Sequence, residues 1–163
     1  MKHKVIKKFL DVDFFEKLKN IIMGPEFPWR KRDESTGWDH TYFSYCFFNS
    51  YDSKSDLYQP FIIPILQKLK VNAPIQVRAN MLINKLFKTS SWHVDYDYKC
   101  KTAILYLNDC DGGTELQINN KTIFVKAEAN KIVIFDTDIK HRALTSKNEP
   151  VRFIINFNYF KEG

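Results

Sequence analysis

Cysteine is scarce in this chain, and what there is does not pair. Cys46, Cys100 and Cys110 are the only three, and none stands in a Cys-x-x-Cys spacing. That argues against a disulfide scaffold and a cysteine-ligated zinc site, and it suits a reducing, cytoplasmic compartment. Cys100 and Cys110 flank a predicted strand and read as packing residues rather than nucleophiles. No apolar run reaches the roughly 18 residues of a membrane span. The start, Met1-Lys2-His3-Lys4-Val5, has no long apolar segment behind it, so neither a signal peptide nor a membrane anchor is expected. Dense like-charge blocks are also missing. The nearest thing is Lys2, Lys4, Lys7 and Lys8, which reads as a solvated face rather than a nucleic-acid patch. There is no internal repeat, linker or low-complexity segment, so the expectation is a single domain over residues 1–163.

The composition is that of a globular protein with a core of useful size. Hydrophobic residues make up 44% and charged residues 27% of the 163, and the net charge is +6. That charge favours solubility and a mild attraction to acidic partners. Aromatic residues are plentiful, and many fall in strand-like runs where packing is the simplest role.

Residues 1–73 read as helical and loop support. Val5 to Leu10 is a short apolar run, a strand or the lead-in to one. The spacing of Phe14, Leu18, Ile21 and Ile22 predicts an amphipathic helix over 11–23, with Asp11 or Asp13 as its cap and Gly24-Pro25 as its stop. Residues 26–55 are aromatic-rich; 41–48 reads as a strand and the rest as loop. The aromatic rings of 29–51 either line a substrate groove or cover a sheet face. A second helix is predicted over 56–70, with Pro60 and Pro64 near its start or kinking it.

From Ala73 the pattern turns to strands. They are expected at 75–83, 92–96, 102–107, 114–118, 122–125, 131–135, 142–145 and 151–159, divided by turn residues such as Asp111-Gly112-Gly113 and Asn119-Asn120. Many short strands at near-regular spacing suggest a sandwich or jelly roll, with the two helices against one side.

Histidine is rare as well: His3, His40, His93 and His141. His3 lies near the terminus and carries little functional weight. His40, in Gly37-Trp38-Asp39-His40, is a surface or a substrate-side residue. His93 and His141 each lie at a predicted strand edge, and Asp95 follows His93 by two. On an extended backbone a His-x-Asp pair presents both side chains on one face. A later histidine can complete a two-His-one-carboxylate facial set, which points to non-haem Fe(II). Arg152 opens the last apolar strand. It either snorkels to the surface or binds a carboxylate through its two-pronged donor geometry.

Residues 74–160 resemble the Fe(II)- and 2-oxoglutarate-dependent oxygenases, and within them the small prolyl-hydroxylase-like members of bacteriophage genomes. The matching stretches are Trp92-His93-Val94-Asp95, residues 101–108, Asp111-Gly112-Gly113-Thr114-Glu115, residues 130–136, His141-Arg142 and residues 152–160, with Arg78-Ala79-Asn80 before them. The resemblance implies a mainly β chain, a double-stranded β-helix or distorted jelly roll, over 74–160. It implies that His93, Asp95 and His141 bind Fe(II) and that Arg152 pairs with the distal carboxylate of 2-oxoglutarate. It also implies that Tyr106 hydrogen-bonds the cosubstrate, with Asn80 as a further candidate for that pocket. Many prolyl 4-hydroxylases carry Lys where this chain has Arg152. The nucleic-acid demethylase branch carries a second arginine where this chain has Asn158, which lowers that reading.

The activity so implied is hydroxylation of an unactivated C–H bond with release of succinate and CO₂, using O₂. The expected substrate is a protein or peptide side chain such as proline. The alternatives are the same chemistry on nucleic acid or a small molecule, or a non-catalytic binding jelly roll in which His93 and Asp95 are incidental. A phage origin would place the protein in the host cytoplasm. Trp92, Tyr96, Tyr98, Arg142 and the loop 29–51 are expected to shape substrate choice near the metal entrance.

Overall fold

The computed structural model describes residues 3–161, so Met1 and Lys2 lie outside the described residues. The strands are β1 (His3–Ile6), β2 (Arg30–Arg32), β3 (Tyr42–Asn49), β4 (Asp52–Ser53), β5 (Ala73–Ile83), β6 (Lys101–Tyr106), β7 (Gly113–Ile118), β8 (Lys121–Lys126), β9 (Ile132–Asp136), β10 (His141–Leu144) and β11 (Val151–Phe160). The helices are α1 (Val12–Ile22) and α2 (Ile63–Leu69). Among the described residues no helix is long and apolar enough to cross a membrane.

The first helix forms where its pattern predicts. Asp11 caps it, its carboxylate accepting from the backbone N–H groups of Asp13 and Phe14 at 3.1 and 3.2 Å. It stops at Gly24, where a Cβ would come within 2.8 Å of the Asn20 carbonyl oxygen. The second helix is shorter than the periodicity of 56–70 implies. Residues Tyr58–Ile62 form a wide π-type turn around Pro60, and the regular helix begins only at Ile63, with Pro64 in its first turn. Proline lacks the N–H that an interior turn would use, and its ring crowds the preceding turn.

Strand β11 is central to an eight-stranded antiparallel sheet of order β1-β9-β6-β11-β5-β3-β2, with β4 attached to β3. Strands β10-β7-β8 form a second, three-stranded sheet. Residues 3–53 therefore supply strands at both edges of the large sheet, in addition to the helix α1. The result is the mainly β jelly roll with helices on one side that the sequence led us to expect.

The large sheet has two different faces, because successive side chains on a strand point opposite ways. Val77, Ala79, Ala103, Leu105, Ile155 and Phe157 face one way and pack against Phe15, Leu18 and Ile22 of α1 and Ile65, Leu66 and Leu69 of α2. Ile104, Tyr106, Val133, Phe135 and Ile154 face the other way, toward Leu116, Ile118 and Val125 of the small sheet. Cys100 and Cys110 are buried, as packing residues should be. Gly113 allows β7 to press on β8; a Cβ there would come within 2.2 Å of the Val125 carbonyl oxygen.

Truncating the helix-facing side of the sheet should be costly. Leu105→Ala, at a fully buried position, is expected to lower the unfolding free energy by about 2–5 kcal/mol in urea denaturation. Tyr51→Ala, at a residue 92% exposed, should change it by less than about 0.5 kcal/mol.

Candidate metal centre and active-site cleft

The site is built where the two sheets meet. His141 begins β10, its backbone opposite Leu116 in the small sheet. On its other side it forms a lone antiparallel bridge with His93: the His93 N–H donates to the His141 carbonyl at 3.1 Å, and the His141 N–H donates back at 2.9 Å. The two imidazole rings lie with centroids 4.4 Å apart. Upstream, the chain follows β10 through Thr89, and Ser90 substitutes its hydroxyl for a ladder acceptor of the Ala143 N–H, at 2.9 Å.

No strand forms over 92–96, which corrects the expectation of a His-x-Asp pair on one strand face. His93 belongs to the small sheet through its bridge, and the chain then leaves the ladder. Asp95 is pinned to the large sheet instead. Its Oδ2 accepts from Asn158 Nδ2 at 2.7 Å and from Thr102 Oγ1 at 3.1 Å, on β11 and β6. Those two side chains are cross-strand partners and bond each other at 3.0 Å.

The clamp leaves Oδ1 of Asp95 facing the imidazoles, 3.4 Å from Nε2 of His141 and 3.8 Å from Nε2 of His93. The three ligand atoms all lie within 4.8 Å of one another. Ligands about 2.1 Å from one ion and at right angles would be about 3 Å apart, so the three atoms would draw inward around a bound ion. The tautomers are also set. Nδ1 of His93 lies 2.8 Å from the Ser91 carbonyl oxygen and Nδ1 of His141 lies 3.2 Å from that of Ile139. Each Nδ1–H thus donates to a carbonyl, which leaves both Nε2 lone pairs directed at the shared position. Burial opposes ionisation of Asp95, but the neighbouring His141 and the Asn158 amide outweigh it and hold the carboxyl well below the usual range. Burial, then the neighbouring His141, lowers the pKa of His93. Two neutral imidazoles and one ionised carboxylate fit a divalent ion with open positions, such as Fe(II). His141 is buried, whereas the His93 side chain is 41% exposed, so the set opens outward.

A cleft of about 570 Å³ leads in to these ligands. Polar residues from the inner face of the large sheet line it: Gln76, Arg78 and Asn80 from β5, and Arg152, Asn156 and Asn158 from β11. Arg152 does not snorkel. It is 1% exposed, with Nη2 donating to Thr114 Oγ1 at 3.0 Å, Nη1 to the Leu144 carbonyl at 3.3 Å, and Nε without a partner. Its guanidinium lies 5.3 Å from the Tyr106 ring centroid. Among the described residues no carboxylate pairs with it, and burial pulls its pKa down from the usual guanidinium value. A guanidinium still keeps its proton at neutral pH.

Asn80 lines the cleft, and its Oδ1 is buried without a partner. Tyr106 is fully buried beside Arg152, with its hydroxyl 2.9 Å from Thr114 Oγ1 and 3.4 Å from the Val125 carbonyl. Its opposite neighbour on β11 is Ile154, so its ring supports Arg152 from the side. The aromatic stretch divides. Trp38, His40 and Tyr42 line the cleft, while Tyr45 and Phe47 pack with Phe27 on the helix side. Tyr96 and Arg142 line the entrance as expected. Trp92 instead covers the Arg142 guanidinium, and Tyr98 lies outside against Phe160. Thr102 and Asn158 were not singled out from sequence as metal-site residues. The available signal was the polar alternation Arg152, Asn156, Asn158 in an otherwise apolar strand.

Residues 81–160 match the family model of the 2OG-Fe(II) oxygenase superfamily. A search of curated proteins returns no significant match. Among solved structures, a Pseudomonas putida prolyl-4-hydroxylase is 14% identical, with a TM-score of 0.66 over 99% of this chain and 94% of that one. A Trichoplax adhaerens prolyl hydroxylase in complex with a peptide fragment of the hypoxia inducible factor oxygen degradation domain is 14% identical, with a TM-score of 0.70 over 98% and 83%. A 2OG-Fe(II) oxygenase family oxidoreductase from Burkholderia pseudomallei is 10% identical, with a TM-score of 0.75 over 99% and 86%. At these identities the likeness establishes the fold. The sequence match, the fold and the His-Asp-His cluster together support the superfamily.

Removing either hydrogen bond to Asp95 should loosen the metal. Asn158→Ala or Thr102→Val is expected to weaken Mn(II) binding by roughly 10- to 100-fold in calorimetric titration. Wild-type affinity in both variants would show that the clamp does not position the ligand.

Proposed function

We propose that this chain is a 2-oxoglutarate- and Fe(II)-dependent dioxygenase that hydroxylates a side chain of a peptide or protein, with proline as the leading candidate; the partial family match supports the chemistry. In this reading His93 and His141 through Nε2, and Asp95 through Oδ1, hold the iron. Arg152 takes the distal carboxylate of 2-oxoglutarate. Thr114 fixes one arm of that guanidinium, and the Tyr106 ring limits its sideways movement. Asn80 faces the same pocket with its amide. Bound iron supplies, with 2-oxoglutarate and O₂, the oxidising power to hydroxylate an unactivated C–H bond, with succinate and CO₂ as coproducts.

The observation that carries this reading is Arg152. A buried guanidinium without an anionic partner is costly. Here it sits with an unused Nε on the wall of the cleft that holds the three ligands. A dicarboxylate chelating the metal and reaching Arg152 would remove that cost. The peptide assignment draws on the Trichoplax relative, whose structure holds a peptide. We further propose a single domain over 1–163, related to the phage-encoded prolyl-hydroxylase-like branch. The three free thiols fit work in a reducing cytoplasm.

Anaerobic titration with Fe(II) and then 2-oxoglutarate tests the centre. A weak visible charge-transfer band should require both additions and vanish in His93→Ala. Arg152→Ala should keep the fold but weaken 2-oxoglutarate binding by about 2–5 kcal/mol. A band of wild-type midpoint in Arg152→Ala would remove that residue from the cosubstrate site. Mass spectrometry of proline peptides incubated with the loaded enzyme should find the gain of one oxygen.

A further inference from the structure

The cleft contains a second cation whose partner is missing. Arg142 is paired with Glu115 at 2.6 Å, and Arg32 donates to Ser44 at 3.0 Å. Arg78, on the inner face of β5, forms no ion pair among the described residues. Its neighbours are neutral: Nη2 donates to the Gln76 amide oxygen, the guanidinium lies 5.7 Å from the Trp38 ring centroid, and the Tyr42 hydroxyl is beside it. Trp38 is delivered there by Gly37, whose left-handed φ of 85° ends the short 3-10 turn Glu34–Thr36, and it packs edge-on against Tyr42 at 5.4 Å.

Arg78 is well separated from Arg152. Leu82 is the cross-strand partner of Arg152 on β5. Four residue steps along the strand, about 13 Å, separate Leu82 from Arg78. Arg78 lies instead toward Asn158, the residue that holds Asp95; Gln76, its neighbour on the same face, is the cross-strand partner of Asn158. Across from Arg78 on β11 is Asn156, whose Oδ1 is buried and accepts no hydrogen bond. The wall next to the metal ligands thus presents a guanidinium fork that lacks an anion and an amide oxygen that lacks a donor. Asp39 and Asp95 also border the cleft, which disfavours a multiply charged phosphate and leaves room for one negative charge.

We propose that Arg78 and Asn156 form the substrate-selecting subsite: Arg78 takes a carboxylate of the peptide, an Asp or Glu side chain near the hydroxylated residue, and Asn156 accepts a peptide N–H beside it. This rests on the peptide-hydroxylase reading above. Trp38 closes over the same subsite and keeps water from the pair. Arginine suits the role because its planar fork matches a carboxylate in two parallel hydrogen bonds.

The test uses the Fe(II)- and 2-oxoglutarate-loaded protein under anaerobic conditions, with binding read by fluorescence anisotropy. The probes are proline peptides carrying Asp or Glu at successive positions, their Asn or Gln counterparts, and inorganic phosphate as competitor. The best acidic peptide should bind about tenfold or more tightly than its amide counterpart. Arg78→Gln should erase that ratio and Arg78→Lys should retain part of it, while the charge-transfer midpoint for 2-oxoglutarate stays within about threefold of wild type. Equal binding of acidic and amide peptides, or no binding of either, overturns the proposal. So does an equal loss of 2-oxoglutarate affinity in Arg78→Gln, which would assign Arg78 to the cosubstrate. Displacement by inorganic phosphate at lower concentration than by the acidic peptide overturns the peptide carboxylate. A missing charge-transfer band in the wild type would sink the parent reading; an intact band without acid preference sinks only this one.

Discussion

The alternation of side chains along β5, β6 and β11 governs the rest of the molecule. Each of these strands must satisfy two environments at once, one residue at a time. Leu105, Ile155 and Phe157 anchor the helices, while Asn156 and Asn158 project into the cleft and Thr102 reaches Asp95 from the same face. A slip of one residue in β11 would place asparagines against α1 and α2 and turn phenylalanine toward the metal ligands. Register is therefore held by the apolar side and used by the polar side. The stability of the support and the position of the site are the same constraint.

The candidate metal ligands are shared between two sheets for a related reason. The histidines are coupled through backbone bonds at the edge of the small sheet, and the carboxylate is tied by side chains to the large one. The distance from His141 to Asp95 thus depends on how the sheets pack, through Leu116, Ile118 and Val125 against Ile104, Val133 and Phe135. Core packing between the sheets and ligand geometry are coupled, so a cavity left by truncating Val133 would reach the metal position without touching any ligand.

Much of this was legible in the sequence, and the exceptions have physical causes. Strands β5 to β11 declare themselves by apolar runs and turn residues, and α1 by its cap and spacing. The second helix begins only at Ile63, later than its periodicity implies, because Pro60 near the predicted start widens the backbone into a π-type turn. Residues 92–96 look extended, yet a lone bridge and two side-chain bonds replace a ladder there. The grouping of His93, Asp95 and His141 was readable because few other residue sets in the chain suit a metal ion. The clamp was not, since Thr102 and Asn158 lie 56 positions apart and only strand pairing makes them neighbours.

The order of strands has one more consequence. The two outermost strands of the large sheet are β1 and β2. They carry Lys4 on one edge, and Arg30, Lys31 and Arg32 on the other. An open edge exposes unpaired N–H and C=O groups that another copy could extend into a continuous sheet, and cations there repel such a neighbour. Part of the excess positive charge thus lies where it would disfavour edge-to-edge pairing of two copies, on the sheet edges rather than at the cleft.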